Sequence, residues 1–203
     1  MVDRPAPRQP YLMPLTPHGF HYLAPRRMIH YGMGERYDFT DVWTVPASID
    51  VAWRMVDDVA GWPAWWPDYR LAEIVSEIKH GPGTRWHVRV KSDLPYTVDF
   101  EFIVLQHQPP TYVKTRVQGF FEGEIDWRLE KASLNQTRLT LHEQTETKWA
   151  LINLTARLGG RRLLLKNHAS AMGRGEAGMK EAIGRGYAPP DLDTQNSQGA
   201  RRP

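Results

Sequence analysis

Cysteine is absent from the 203 residues. No disulfide, thiolate metal site or cysteine nucleophile can form. A reducing compartment, the cytoplasm, is the expected location. Long apolar runs are missing as well: none approaches the roughly 20 residues of a membrane span, so no stable membrane insertion is expected. The N-terminus has no charged segment leading into an apolar core, so no signal peptide is read there. The centre of the chain also lacks a strong excess of one charge. Lys and Arg number 26 against 23 Asp and Glu, but five Arg lie in residues 1–36 and three in 185–203, leaving 18 basic and 19 acidic side chains in residues 37–184. That balance argues against a nucleic-acid groove. There is no HExxH pair, phosphate loop or GxSxG elbow. His80, His87, His107 and His142 show no ligand spacing, so neither a metal nor a cofactor is expected.

Aromatic surface is present in quantity. Trp62, Trp65 and Trp66 fall within five residues, framed by Pro63 and Pro67. Such a cluster either plugs the end of a sheet or also lines a ligand pocket. Pro5, Pro7, Pro10, Pro14, Pro17 and Pro25 forbid regular structure in residues 1–36. Tyr11, Leu12, Phe20 and Tyr22 among them predict an extended arm. It packs partly on the domain or on a partner, where it could build a homodimer; the alternative is a disordered leader. Residues 185–203 are polar and aperiodic and are expected to be a disordered tail.

Between these ends, residues 37–184 read as one domain. Tyr37 to Val45 alternates, with Phe39, Asp41, Trp43 and Val45 on one face. Ser48 can cap a helix from 49 to about 60, and Pro63 can start a short second one. Six strands follow: Leu71–Lys79, Thr84–Lys91, Tyr96 to about Val104, Tyr112–Gln118, a strand through Ile125, Trp127 and Leu129, and Thr137–Lys148. Tight turns between them predict an antiparallel meander. Trp149 to about Gly184 reads as helix, broken near Gly159-Gly160. Its apolar stripe runs Leu164, His168, Ala171, Met172, Gly175, Met179 and Ile183. Gly173 and Gly175 are expected to permit close packing. The fold class is α+β, with a curved seven-stranded sheet around a long C-terminal helix and two short helices after the first strand. The space between sheet and helix is the expected cavity.

Two residues on this inner surface could carry chemistry. Glu143 alternates with Leu139 and Leu141. If these point inward, burial raises its pKa toward a general acid or base; otherwise the strand twists and Glu143 reaches solvent. His168 lies on the helix stripe, either meeting a ligand or serving as a core histidine. Thr115 and Thr145 are candidate polar contacts, or ordinary strand residues. Trp66, Trp86, Tyr96, Phe100, Trp127 and Met172 are candidates for the lining, and that many large groups predict a narrow pocket.

The chain resembles the START-like, or SRPBCC, helix-grip superfamily, in its polyketide cyclase/dehydrase branch. Three stretches carry the resemblance, which spans about residues 37–184. The first is Ala52-Trp53, Met55-Val56, Asp58 and Trp62-Pro63-Ala64-Trp65-Trp66-Pro67. The second is Gly119-Phe120-Phe121-Glu122-Gly123 before Trp127-Arg128-Leu129. The third is Thr145 to Trp149 with Asn167-His168, Met172, Gly175 and Gly178. The resemblance implies a cavity for a hydrophobic or aromatic small molecule, polyketide-like or lipid-like. It leaves open a binding protein, a cofactor-free cyclase or dehydratase using Glu143 and His168, and a lipid or quinone chaperone.

Overall fold

The computed structural model describes residues 35–147, 161–187 and 189. Seven strands make one sheet: β1 (Glu35–Val45), β2 (Tyr69–Ile74), β3 (Arg85–Val90), β4 (Val98–Gln108), β5 (Tyr112–Gly119), β6 (Phe121–Ser133) and β7 (Gln136–Thr147). Their order is β1-β7-β6-β5-β4-β3-β2. Every neighbouring pair is antiparallel. Between β1 and β2 come α1 (Ile49–Asp57), a 3-10 turn (Val59–Gly61) and α2 (Trp62–Trp65). The helix α3 (Arg161–Gly184) follows the sheet. This is the α+β helix-grip arrangement expected from the sequence.

The alternating residues build the inner face. Trp43, Val45, Trp86, Val88, Val98, Phe100, Phe102, Val113, Val117, Trp127, Leu129, Leu139 and Leu141 are all buried in one core. Burying a side chain of this size is worth about 1.5–3 kcal/mol, so the period-2 pattern fixes which face turns inward. β1 and β2 are opposite edges of the sheet. The chain between them must therefore cross one end of the sheet. The Ser48 hydroxyl caps α1 by accepting from the Val51 N–H at 3.4 Å. Ile49, Ala52, Trp53, Met55 and Val56 form its buried stripe. Asp58 leaves helical geometry at ψ 73° and ends α1 three residues before Gly61.

Strand ends differ from the sequence reading where side chains intervene. The strand expected over Leu71–Lys79 runs over Tyr69–Ile74. Ser76 stops it: its hydroxyl donates to the Ile78 carbonyl at 2.6 Å and accepts from the Arg85 N–H at 2.9 Å, which turns the chain. β4 runs on to Gln108, with a bulge between Val104 and Gln106.

Glycine lets α3 lie close over α2. A Cβ at Gly178 would sit 1.8 Å from the Trp65 carbonyl oxygen, and one at Gly175 would sit 2.5 Å from the Trp66 ring. Gly173 is exposed, with nothing within 4 Å of where its Cβ would be, so it plays no such part. Met179 and Ala182 complete the buried stripe. The helix closes with a left-handed Gly186 and a Tyr187 N–H to Ala182 carbonyl bond of 2.9 Å. The expected arm before residue 35, the helix start at Trp149, the break at Gly159-Gly160 and the tail beyond 189 lie outside the described residues.

Candidate functional site

Sheet and α3 enclose two adjoining cavities. The larger, about 170 Å³, lies between β1, β3–β7 and α3. The smaller, about 60 Å³, lies under α1, α2 and the turn before β3. Trp66, Tyr69, Phe102, Ile125, Glu143 and Met172 border both cavities and form the partition. The aromatic crowding expected from sequence thus divides the interior.

Trp66 is central to that partition. It is 2% exposed. Its indole N–H donates to the Ala171 carbonyl at 3.1 Å, tying the turn to α3. Its ring meets Trp43 edge-on at 5.2 Å and stacks on Trp65 at 5.6 Å. Trp62 anchors the turn by donating to the Met55 and Val56 carbonyls at 3.1 and 3.2 Å.

Each candidate from the sequence lines a cavity. Tyr96, Phe100, Thr145 and His168 border the larger one; Trp86, Thr115 and Trp127 border the smaller; Trp66, Glu143 and Met172 border both. Thr115 has already committed its hydroxyl to the Ile125 carbonyl at 3.2 Å.

Glu143 sits in β7 between Phe39 and Ile125. Burial raises its pKa above the ordinary carboxylate value, and Asp41 adds to the rise; His168 and His142 oppose it. Its carboxylate makes no hydrogen bond among the described residues. His168 points at Asp41. Its Nε2 lies 2.7 Å from Asp41 Oδ2. Phe39 stacks on the ring at 3.9 Å and fixes its plane. No hydrogen bond or ion pair within 4.0 Å joins His168 to Glu143. Burial pulls the His168 pKa down, but Glu143 and the Asp41 hydrogen bond outweigh it and hold it above its ordinary value. The imidazole is therefore inclined to carry its proton, and Glu143 holds its own more tightly than an exposed glutamate.

Asp41, the partner of His168, is not among the candidates that the sequence singles out. It stood on the inward face of β1 with Phe39 and Trp43, a position where a carboxylate needs a partner. Tyr69 was also missed. Its phenol is buried in the partition, and burial, then the nearby Glu143 and Asp68 charges, push its pKa well up. It stays a neutral donor. Arg174 closes one side: it holds Asp68 through Nε at 2.9 Å and Nη2 at 2.5 Å, and Asp93 through Nη1 at 3.1 Å. Asp68 borders the larger cavity. That fork ties α3 to the start of β2 and to the β3–β4 turn.

A family model for polyketide cyclase / dehydrase and lipid transport matches residues 45–171. The chain belongs to this family. Glu143 and His168 fall within the matched span of the polyketide cyclase / dehydrase and lipid transport family; Phe39 and Asp41 lie just before it. Among curated proteins, no sequence matches the chain. Solved structures share the fold at low identity. The Zhui aromatase/cyclase from Streptomyces sp. R1128 is 16% identical over 73% of this chain and 96% of its own, with a TM-score of 0.58. TTHA0849 from Thermus thermophilus is 17% identical over 72% of this chain and 99% of its own, with a TM-score of 0.59. A START superfamily protein from Mycobacterium smegmatis is 19% identical over 69% and 97%, with a TM-score of 0.53. Membership supports ligand binding or cyclase chemistry without selecting between them. No described helix is long and apolar enough to cross a membrane.

Proposed function

We propose that this protein binds an aromatic, polyketide-like molecule in the larger cavity and promotes its cyclisation or dehydration by proton transfer. Support comes from one observation above all: Glu143 and His168, the latter held by Asp41, border the same aromatic-rich cavity without bonding to each other. A carrier needs only an apolar wall, and burying a carboxylate there is costly.

The two groups suit opposite ends of an aldol-type step. Glu143, as carboxylate, takes a proton from a carbon next to a carbonyl. The resulting enolate carbon forms a bond to a second carbonyl carbon. The electron pair of that carbonyl moves to its oxygen, which takes a proton from the His168 imidazolium. Asp41 stabilises the charged ring at Nε2 and leaves Nδ1 for the ligand. In dehydration the adjacent C–H proton and the new hydroxyl leave together as water. Raising the Glu143 pKa makes its carboxylate a stronger base, and raising that of His168 keeps the acid protonated near neutrality. Tyr69 supplies a neutral hydrogen-bond donor.

The test pairs binding with turnover. Linear poly-β-ketone analogues should quench tryptophan emission, since Trp66 borders the cavity. The wild type should cyclise at least one of them. Glu143→Gln should still bind it, with turnover reduced by about 100-fold or more. Unchanged turnover in Glu143→Gln removes the acid/base reading. Binding without product in the wild type leaves a carrier for an aromatic or lipid-like ligand.

A further inference from the structure

The smaller cavity holds a second constellation, on the other side of the partition from His168. Asp57, at the end of α1, faces two histidines. Its Oδ2 lies 2.9 Å from His80 Nε2, in the turn before β3, and its Oδ1 lies 2.8 Å from His107 Nε2, near the end of β4. One donor atom from each of the three residues lies within 4.8 Å of the other two. This is no surface coincidence: the side chains are only 11%, 12% and 7% exposed. The rings of His80 and His107 meet edge-on at 4.7 Å, and Trp53 packs on His107 at 5.2 Å. A built feature of the sheet brings His107 here. The β4 bulge between Val104 and Gln106 shifts the alternation, so that His107 pairs with the buried Val113. Without that extra residue His107 would share the outer face with Glu101 and Ile103. An independent observation points to an occupant. Thr84 borders the same cavity, is 1% exposed, and its hydroxyl has no hydrogen-bond partner.

We propose that Asp57, His80 and His107 bind a divalent first-row transition ion, with an open coordination position toward the smaller cavity. Two imidazoles and one carboxylate suit zinc, iron, cobalt or nickel, and disfavour calcium and magnesium, which take oxygen ligands. Three protein ligands with a further position left open is the arrangement of a reactive site; closed structural zinc sites use four. The present contacts have hydrogen-bond lengths. An ion with bonds of about 2.0–2.1 Å in tetrahedral geometry holds its donors about 3.3 Å apart. Binding therefore lengthens the two Asp57–histidine contacts by about half an ångström and releases the protons held between the groups. The adjoining space of about 60 Å³ has room for a few waters, or for an oxygen-bearing end of a ligand. The unpartnered Thr84 hydroxyl borders the same space and is available to hydrogen-bond such an oxygen. This site does not depend on the proton-transfer reading of the larger cavity.

The test uses the full chain, stripped with a chelator and titrated with zinc and with cobalt by calorimetry and visible absorption. One ion per chain is expected, with cobalt d–d bands in the intensity range of four- or five-coordinate sites. Asp57→Asn, His80→Asn and His107→Gln should each weaken binding by about 100-fold or more. Near-UV circular dichroism checks that each variant is folded, and any one of the three that folds suffices. Changing His18, His21 and His30 together to Ala should leave affinity unchanged, as should millimolar calcium or magnesium. The proposal is overturned by no ion bound more tightly than about millimolar. It is equally overturned by binding that survives in the folded cluster variants or disappears with the His18, His21 and His30 set.

Discussion

Gly178→Ala is the sharpest probe of how α3 packs over α2. The added methyl would sit 1.8 Å from the Trp65 carbonyl oxygen and 3.0 Å from its carbon. Ordinary carbon–oxygen approach is about 3.3 Å, so helix and turn must part by about 1.5 Å. The obstacle is backbone and cannot rotate away. Overpacking of this kind costs about 1–3 kcal/mol and sometimes more. Alanine returns at most about 1 kcal/mol through helix propensity. A net loss of about 2 kcal/mol is expected, with ligand affinity falling as α3 lifts from the cavity. Gly173→Ala is the matched control on the same helix. Nothing lies within 4 Å of its Cβ, so only propensity acts, and a gain of about 0.5–1 kcal/mol is expected. Urea unfolding at constant m-value reads both. Equal effects of the same sign at the two positions would refute the packing of α3 on Trp65.

Three other outcomes follow from the same geometry. Burial raises the Glu143 pKa above 4.5, so the folded state binds that proton more tightly, and stability falls as pH rises from 4.5 through the raised value. Glu143→Gln should therefore be more stable than wild type at neutral pH, by about 1.4 kcal/mol for each pH unit by which folding raises that pKa, and should lose that advantage below 4.5; urea midpoints at the two pH values decide. Arg174→Ala leaves Asp68, 3% exposed at its side chain, without its fork. A loss of about 2–4 kcal/mol is expected by thermal or urea unfolding, and an effect under about 0.5 kcal/mol would count against the clamp. Trp66→Leu opens the partition, so it should lower stability by about 2–4 kcal/mol and admit larger hydrophobic probes; unchanged probe selectivity would show that Trp66 does not divide the interior.

The sheet was legible because alternation is a local signal. Leu139, Leu141, Glu143 and Thr145 could be placed on one face with no knowledge of their neighbours. Glycines and prolines marked most of the turns. What was not legible depends on long-range pairing. Asp41 and His168 are 127 positions apart, so nothing local shows that the imidazole turns to β1 rather than to Glu143. The Asp57 cluster is hidden more deeply. His80 and His107 lie 23 and 50 positions from Asp57, and a bulge reverses the face that simple alternation assigns to His107. The strand end at Ile74 was missed because Ser76 stops it by side-chain hydrogen bonds, which hydrophobic period does not record. From sequence, Trp66 is only one of several candidates for the lining. Its burial and its bond to Ala171 make it an internal wall.

The central claim is that the space between sheet and α3 holds an aromatic small molecule. Native mass spectrometry of protein purified from its own host tests it most directly, with Met172→Trp measured alongside. Met172 borders both cavities, and the larger ring fills them from α3. The wild type should carry a bound aromatic or polyketide-like mass, and Met172→Trp should be free of it. Equal occupancy in the two proteins would contradict the account.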